Sequence, residues 1–188
     1  MNLIIFGPPG AGKGTQADFI VNKYNLYQLS TGELLRNEIK NKTELGKEIS
    51  SIINSGSLVS DSIVKKLVEI FISNKKYKDR LIFDGYPRNL NQVKTLNELL
   101  SKYEQKIDLV LKLSVSLETI KKRIIERQTL EKREDDSEEI AIKRYKTYEK
   151  STEPVIEYYK KMNLLKLIDG ESSIDQINKE ISDIISLI

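Results

Sequence analysis

The chain has 188 residues, with 31 lysines and arginines against 28 aspartates and glutamates, and neither histidine nor cysteine. That length suits one domain around a sizeable core. The lack of cysteine removes disulfides and thiolate zinc sites, and a net charge of +3 spread along the chain is too mild to argue for a nucleic-acid partner.

The apolar run Leu3 to Phe6 reads as a short buried strand. It breaks into Gly7-Pro8-Pro9-Gly10-Ala11-Gly12-Lys13-Gly14-Thr15, a stretch holding four of the nine glycines. The spacing Gly7-x-x-x-x-Gly12-Lys13 fits a phosphate-binding loop, in which glycines let backbone N–H groups approach phosphate oxygens while the lysine reaches the terminal phosphates. The helix expected from Thr15 to Val21 would turn its N-terminus to the anion. One detail departs from the general pattern: Gly14 follows the lysine, and the hydroxyl comes one place later, at Thr15. A dinucleotide site is disfavoured, because the glycines run G-x-G-x-G and no acidic residue ends a second strand where Leu29-Ser30-Thr31 stands.

Leu26 to Leu29 reads as the second strand. Ser30, with Glu33 three residues on, opens a helix to Lys40. Leu45, Ile49, Ile52 and Ile53 keep helical spacing until Gly56, and Asp61 is expected to cap an amphipathic helix carrying Ile63 to Ile72. No strand is expected between Ser30 and Arg80, so this segment could hinge as a unit. Arg80 to Asp84 is a buried strand ending in a carboxylate, followed by Gly85-Tyr86-Pro87-Arg88. An aspartate there, close to the loop, is placed to hold Mg²⁺ directly or through water, with Thr15 as a second candidate. A capping aspartate before a turn would look the same.

A helix from Asn91 to Tyr103 leads to a strand at Asp108 to Val115. The next helix carries Arg123 and Arg127 four apart on one face, where a shared anion and a solvated basic face are equally good readings. Gln128 to Lys132 reads as a short charged connection. Asp136 with Glu139 is expected to cap the following helix, and Pro154 to begin a further one. Leu164 to Ile168 is the last strand, Asp169-Gly170 its turn, and Ile174 to Ile184 the closing helix. The alternation implies a three-layer α/β domain with a five-stranded parallel sheet and ligands at the carboxyl ends of its strands. Only seven of the 31 basic residues are arginines, so each draws notice as a fork for phosphate or carboxylate.

The motifs Gly7 to Thr15, Leu29-Ser30-Thr31-Gly32-Glu33-Leu34-Leu35-Arg36 and Asp84-Gly85-Tyr86-Pro87-Arg88 resemble those of the nucleoside monophosphate kinases, the adenylate kinases above all. The resemblance spans essentially the whole chain. It implies a P-loop NTP-binding fold in one kinase domain, 1–188, with a mobile helical NMP-binding insert at 30–72 and a short lid at 128–136. It further implies transfer of the γ-phosphoryl of ATP to AMP, giving two ADP, with Mg²⁺ as Mg-ATP and no zinc. The expected partners are ATP, AMP and ADP. A cytoplasmic monomer without nucleic acid or membrane is expected, since no leader or apolar run of spanning length is read.

Carried over by position, Gly10, Ala11, Gly12, Lys13, Gly14 and Thr15 would grip ATP together with Arg123, Arg127 and Ser172. Thr31, Arg36, Ser57, Leu58, Val59, Gly85, Tyr86, Pro87, Arg88 and Gln92 would hold AMP, joined by Arg133 and Arg144. Lys13, Arg88, Arg123, Arg133 and Arg144 would act at the transfer itself. Only five residues separate Arg127 from Arg133, which matches short-lid adenylate kinases and the related UMP/CMP kinases. Thr31 and Gln92 favour AMP, whereas Asn89 is also common in the pyrimidine enzymes. A GTPase-like switch reading of Asn41-Lys42-Thr43-Glu44 is disfavoured, because its last residue is Glu and no strand precedes it.

Overall fold

Among residues 1–131 and 136–188, which the computed structural model describes, five strands form one parallel sheet. They are β1 (Leu3–Phe6), β2 (Tyr27–Ser30), β3 (Leu81–Asp84), β4 (Leu109–Ser114) and β5 (Leu165–Asp169), in the order β2-β3-β1-β4-β5. The helices are α1 (Lys13–Tyr24), α2 (Thr31–Lys40), α3 (Glu44–Asn54), α4 (Asp61–Ile72), α5 (Leu90–Lys102), α6 (Leu117–Glu131), α7 (Glu138–Lys161) and α8 (Ile174–Ile185). The order reverses at β1, whose neighbours are β3 and β4. Loops leaving the strands on either side of such a switch point diverge and open a crevice. The phosphate-binding loop leaves β1 there.

β1 is buried at all four positions, as a parallel strand covered on both faces must be. Its side chains alternate between two cores. Ile4 and Phe6 join Phe83, Val110 and apolar residues of α4, α5 and α7, including Val68, Leu96 and Val155. Leu3 and Ile5 join Ile82, Leu111, Ala17 and Ile20 of α1, and Ile177 and Ile181 of α8. The three expected layers are thus present.

Four local expectations are corrected. α6 runs through Gln128, Thr129 and Leu130 to Glu131, because nothing in that sequence breaks a helix. Residues 132–135, Arg133 included, lie outside the described residues, as does most of the second half of the expected lid. Ser137, not Asp136, caps α7, its Oγ accepting from the Ile140 N–H at 3.4 Å. α7 continues past Pro154; the carbonyl four residues before that proline belongs to exposed Lys150, where water can take the bond that the missing N–H leaves. Finally, Ser60 is the N-cap of α4 and Asp61 its first residue.

The Asn41 to Glu44 stretch forms the turn between α2 and α3, with the Thr43 Oγ capping α3 through the Gly46 N–H at 2.9 Å. Among the described residues, no helix is long and apolar enough to cross a membrane.

Candidate active site

The loop after β1 delivers Lys13 as the first residue of α1. Gly12, the N-cap, has φ 91°, a left-handed conformation that a side chain would strain. Through it the chain turns sharply enough to aim the first N–H groups of α1 out of the sheet, where they attract anions. Lys13 Nζ donates to the carbonyls of Gly7 at 2.8 Å and Pro8 at 3.1 Å. Burial pushes its ammonium down to about 8, with Arg88, Arg144 and Arg127 adding to the shift and Asp84 opposing it.

Two cavities meet at this lysine. The larger, about 560 Å³, runs along Gly10 to Thr15 and is bordered by Asp84, Arg123, Arg127, Ser172 and Ile174. The smaller, about 120 Å³, lies between Leu35 and Arg36 of α2, Ser57-Leu58-Val59, Gly85, Pro87, and the α7 residues Arg144 and Tyr148. Lys13, Arg36, Arg88 and Arg144 border both. Four cations in one shared wall attract anionic ligands. The arrangement suits two phosphate-bearing molecules placed end to end.

The arginines are aimed by backbone and carboxylate acceptors. Arg88 Nε donates to the Gly85 carbonyl at 2.7 Å, and Thr152 Oγ1 donates to the Arg88 carbonyl at 3.2 Å. Arg123 donates to the carbonyls of Gly170 at 2.9 Å and Ala11 at 3.4 Å, which ties α6 to the phosphate-binding loop. Arg127 and Arg144 both meet Asp136, a fully buried carboxylate. Sequence reasoning gave Asp136 only the role of a helix cap, since nothing local marks it as a carboxylate that two arginines share.

Three residues expected to hold AMP stand behind the cavity wall in this structure. Thr31 is buried and its Oγ1 donates to the Gly85 carbonyl at 3.0 Å. Tyr86 is buried and its hydroxyl donates to the Gln92 carbonyl at 3.2 Å. Gln92 is 3% exposed, its side chain bonded to the Arg88 N–H and to Asp61. Tyr148 does line the smaller cavity, and its buried hydroxyl has no partner among the described residues. Its spacing of four from Arg144 on one helix was the available signal.

For a metal, Asp84 ends β3 at the larger cavity, 8% exposed, with Oδ2 accepting from Gln28 Nε2 at 3.1 Å. The Thr15 hydroxyl borders the same space. These hard oxygens suit Mg²⁺. Among the described residues no three acidic, histidine or cysteine side chains gather to form a metal cage, so a nucleotide's own phosphates would complete the coordination.

The family model described as Adenylate kinase matches residues 5–164. An adenylate kinase of Pelagibacter ubique (strain HTCC1062) is 46% identical over 213 residues, covering 100% of both chains. One from Prochlorococcus marinus (strain MIT 9515) is 44% identical with 96% of each covered, and one from Fusobacterium nucleatum is 40% identical with 98% of each covered.

Proposed function

Because the chain belongs to the adenylate kinase family, and so is a phosphotransferase acting on nucleoside monophosphates, we propose that it transfers the γ-phosphoryl group of ATP to AMP and releases two ADP. The observation that carries this reading is the wall of Lys13, Arg36, Arg88 and Arg144 common to both cavities. Two polyanions reach bonding distance only where fixed positive charge offsets their repulsion.

In this reading the ATP phosphates follow the backbone of Gly10 to Thr15 and Lys13, with Arg123, Arg127 and the Ser172 backbone bordering the rest of the donor. The acceptor phosphate lies against Arg36, Arg88 and Arg144, joined by Arg133 from the resemblance. Its base lies toward Leu35, Leu58 and Val59. No side-chain base is needed, because the second pKa of a phosphate monoester is about 6. At neutral pH the acceptor oxygen attacks the γ-phosphorus already ionised, while the bond to the donor's bridging oxygen breaks. Asp84 and Thr15 would hold Mg²⁺ arriving with ATP, and the ion would supply charge neutralisation on the transferring phosphates. Closure of the insert at 30–72 over the acceptor keeps water from taking the phosphoryl group.

Asn89 does not weaken the choice of AMP over pyrimidine acceptors. Its Oδ1 accepts from the Gln92 N–H at 2.8 Å to cap α5, and its Nδ2 donates to Asp61 at 3.0 Å, which accounts for asparagine there whatever the acceptor. The test is a coupled ADP assay with ATP and Mg²⁺ against AMP, CMP, UMP and GMP. AMP is expected to be preferred, with turnover lost in Arg88→Ala. A much better rate with CMP or UMP would make the protein a pyrimidine nucleotide kinase.

A further inference from the structure

We propose that Asp61, which borders neither cavity, is the positioning residue that fixes which way the Gln92 amide points, and through it which acceptor base is taken. The inference rests on AMP as the acceptor and on the contact with it that the family resemblance gives to Gln92, which in this structure stands behind the wall of the smaller cavity. Asp61 Oδ1 accepts from Gln92 Nε2 at 2.7 Å and from Asn89 Nδ2 at 3.0 Å. The other end of the amide, Gln92 Oε1, accepts from the Arg88 N–H at 2.7 Å. The start of α4 is thereby joined to the first turn of α5.

A glutamine amide has two nearly isosteric orientations, and its partners choose between them. Here both ends choose the same one. Flipped, the amide would set its oxygen against an ionised carboxylate, which only accepts, and its NH₂ against the Arg88 N–H, which only donates. Each end keeps spare capacity: Nε2 has a second hydrogen and Oε1 a second lone pair. An amide locked in this sense can receive the amino group of adenine and donate to the adjacent ring nitrogen. Guanine and uracil present the reverse, a carbonyl beside an N–H, and would need the flipped amide. A carboxylate at position 61 therefore rejects keto bases without touching them. Sequence spacing offers no hint of this, since Asp61 reads there as an ordinary helix cap.

The test compares wild type, Asp61→Ala, Asp61→Asn, Gln92→Ala and the Asp61→Ala/Gln92→Ala double variant, with KM and kcat for AMP, GMP, UMP and ATP and thermal unfolding for each. Asp61→Ala is expected to raise the AMP KM about tenfold, the effect of losing one charge-assisted hydrogen bond. Its preference for AMP over GMP and UMP should fall by a similar factor, with the ATP KM unchanged. Asp61→Asn, which retains the accepting oxygen, should recover most of the loss. In the Gln92→Ala background, Asp61→Ala should add nothing to the AMP KM. An unchanged AMP preference in Asp61→Ala, an equal rise in the ATP and AMP KM values, or additive losses in the double variant would each overturn the inference while leaving the AMP reading intact. A wild-type enzyme that favours UMP or GMP would overturn both, whereas one that favours CMP, whose base sets an amino group beside a ring acceptor as adenine does, would overturn the AMP reading alone.

Discussion

Arg127 grips Asp136 with two parallel hydrogen bonds, Nε to Oδ2 at 2.7 Å and Nη2 to Oδ1 at 2.6 Å, and Arg144 adds a third to Oδ1 at 3.2 Å. The carboxylate is fully buried, while the side chains of Arg127 and Arg144 are 23% and 19% exposed. A bidentate fork of this kind sets the arginine plane as well as its charge. Asp136 thus joins the end of α6 to α7 at the border of the larger cavity.

Replacing that carboxylate with an amide should be costly. Breaking an enclosed pair destabilises by about 3 to 5 kcal/mol, and the partial hydration of both arginines lowers the expectation for Asp136→Asn to about 2 kcal/mol. Urea unfolding of the two proteins measures it. Turnover should fall as well, because Arg127 and Arg144 lose the group that orients them.

The stability of the nucleotide-free protein should rise between pH 8 and 10. Lys13 has a folded value of about 8 against about 10.4 for an unfolded lysine. Across that window the unfolded chain holds the extra proton, so stability grows with pH. Below pH 8 both states are protonated and the burial cost is felt in full. Above pH 10 the trend should reverse, since burial raises the ionisation of Tyr86, Tyr148 and Tyr159 well above the ordinary tyrosine value, so that the unfolded chain sheds those protons first. Urea midpoints measured from pH 7 to 11 trace the profile.

Lys13→Met should abolish turnover while leaving the fold intact and removing the rise in stability between pH 8 and 10. An uncharged chain of similar length needs no water, so the unfolding midpoint at pH 7 should equal or exceed that of the wild type. In the wild-type protein, ATP phosphates would raise the Lys13 value. Donor binding should therefore take up a proton above pH 8, and its affinity should fall as pH climbs. Calorimetric titration in buffers of different ionisation enthalpy counts that proton.

Gly85→Ala should damage the acceptor side selectively. Gly85 has φ +73°, and a Cβ there would stand 3.0 Å from Arg88 Nη2 and 3.3 Å from Thr31 Oγ1. The left-handed conformation costs a substituted residue about 1 to 2 kcal/mol, and relief of the contact moves the Arg88 guanidinium off its line. We expect a raised AMP KM with the ATP KM little changed, read from initial rates.

The phosphate-binding loop, the strand ending in Asp84 and the alternation of strands and helices were legible in the chain itself, because each rests on local rules: glycine at a left-handed position, an unbroken apolar run for a strand buried on both faces, and a 3.6-residue period for a helix. Those same rules misplaced Pro154 as a helix start, since a proline's lost hydrogen bond is tolerable only where the facing carbonyl reaches water, and Lys150 is exposed. Strand order is likewise beyond local rules, and the sheet sets β1 beside β3 and β4 so that Lys13, Arg36, Arg88 and Arg144 share one wall. What only the tertiary structure decided was the pairing of polar groups far apart in the chain. Asp61 with Gln92 and Arg88 with Thr152 meet across 31 and 64 residues, and the inward turn of Asp136 depends on two helices converging. Composition and spacing can name the charged residues of such a site, but which of them a carboxylate orients is settled by burial, where an unpaired charge costs far more than it does in water.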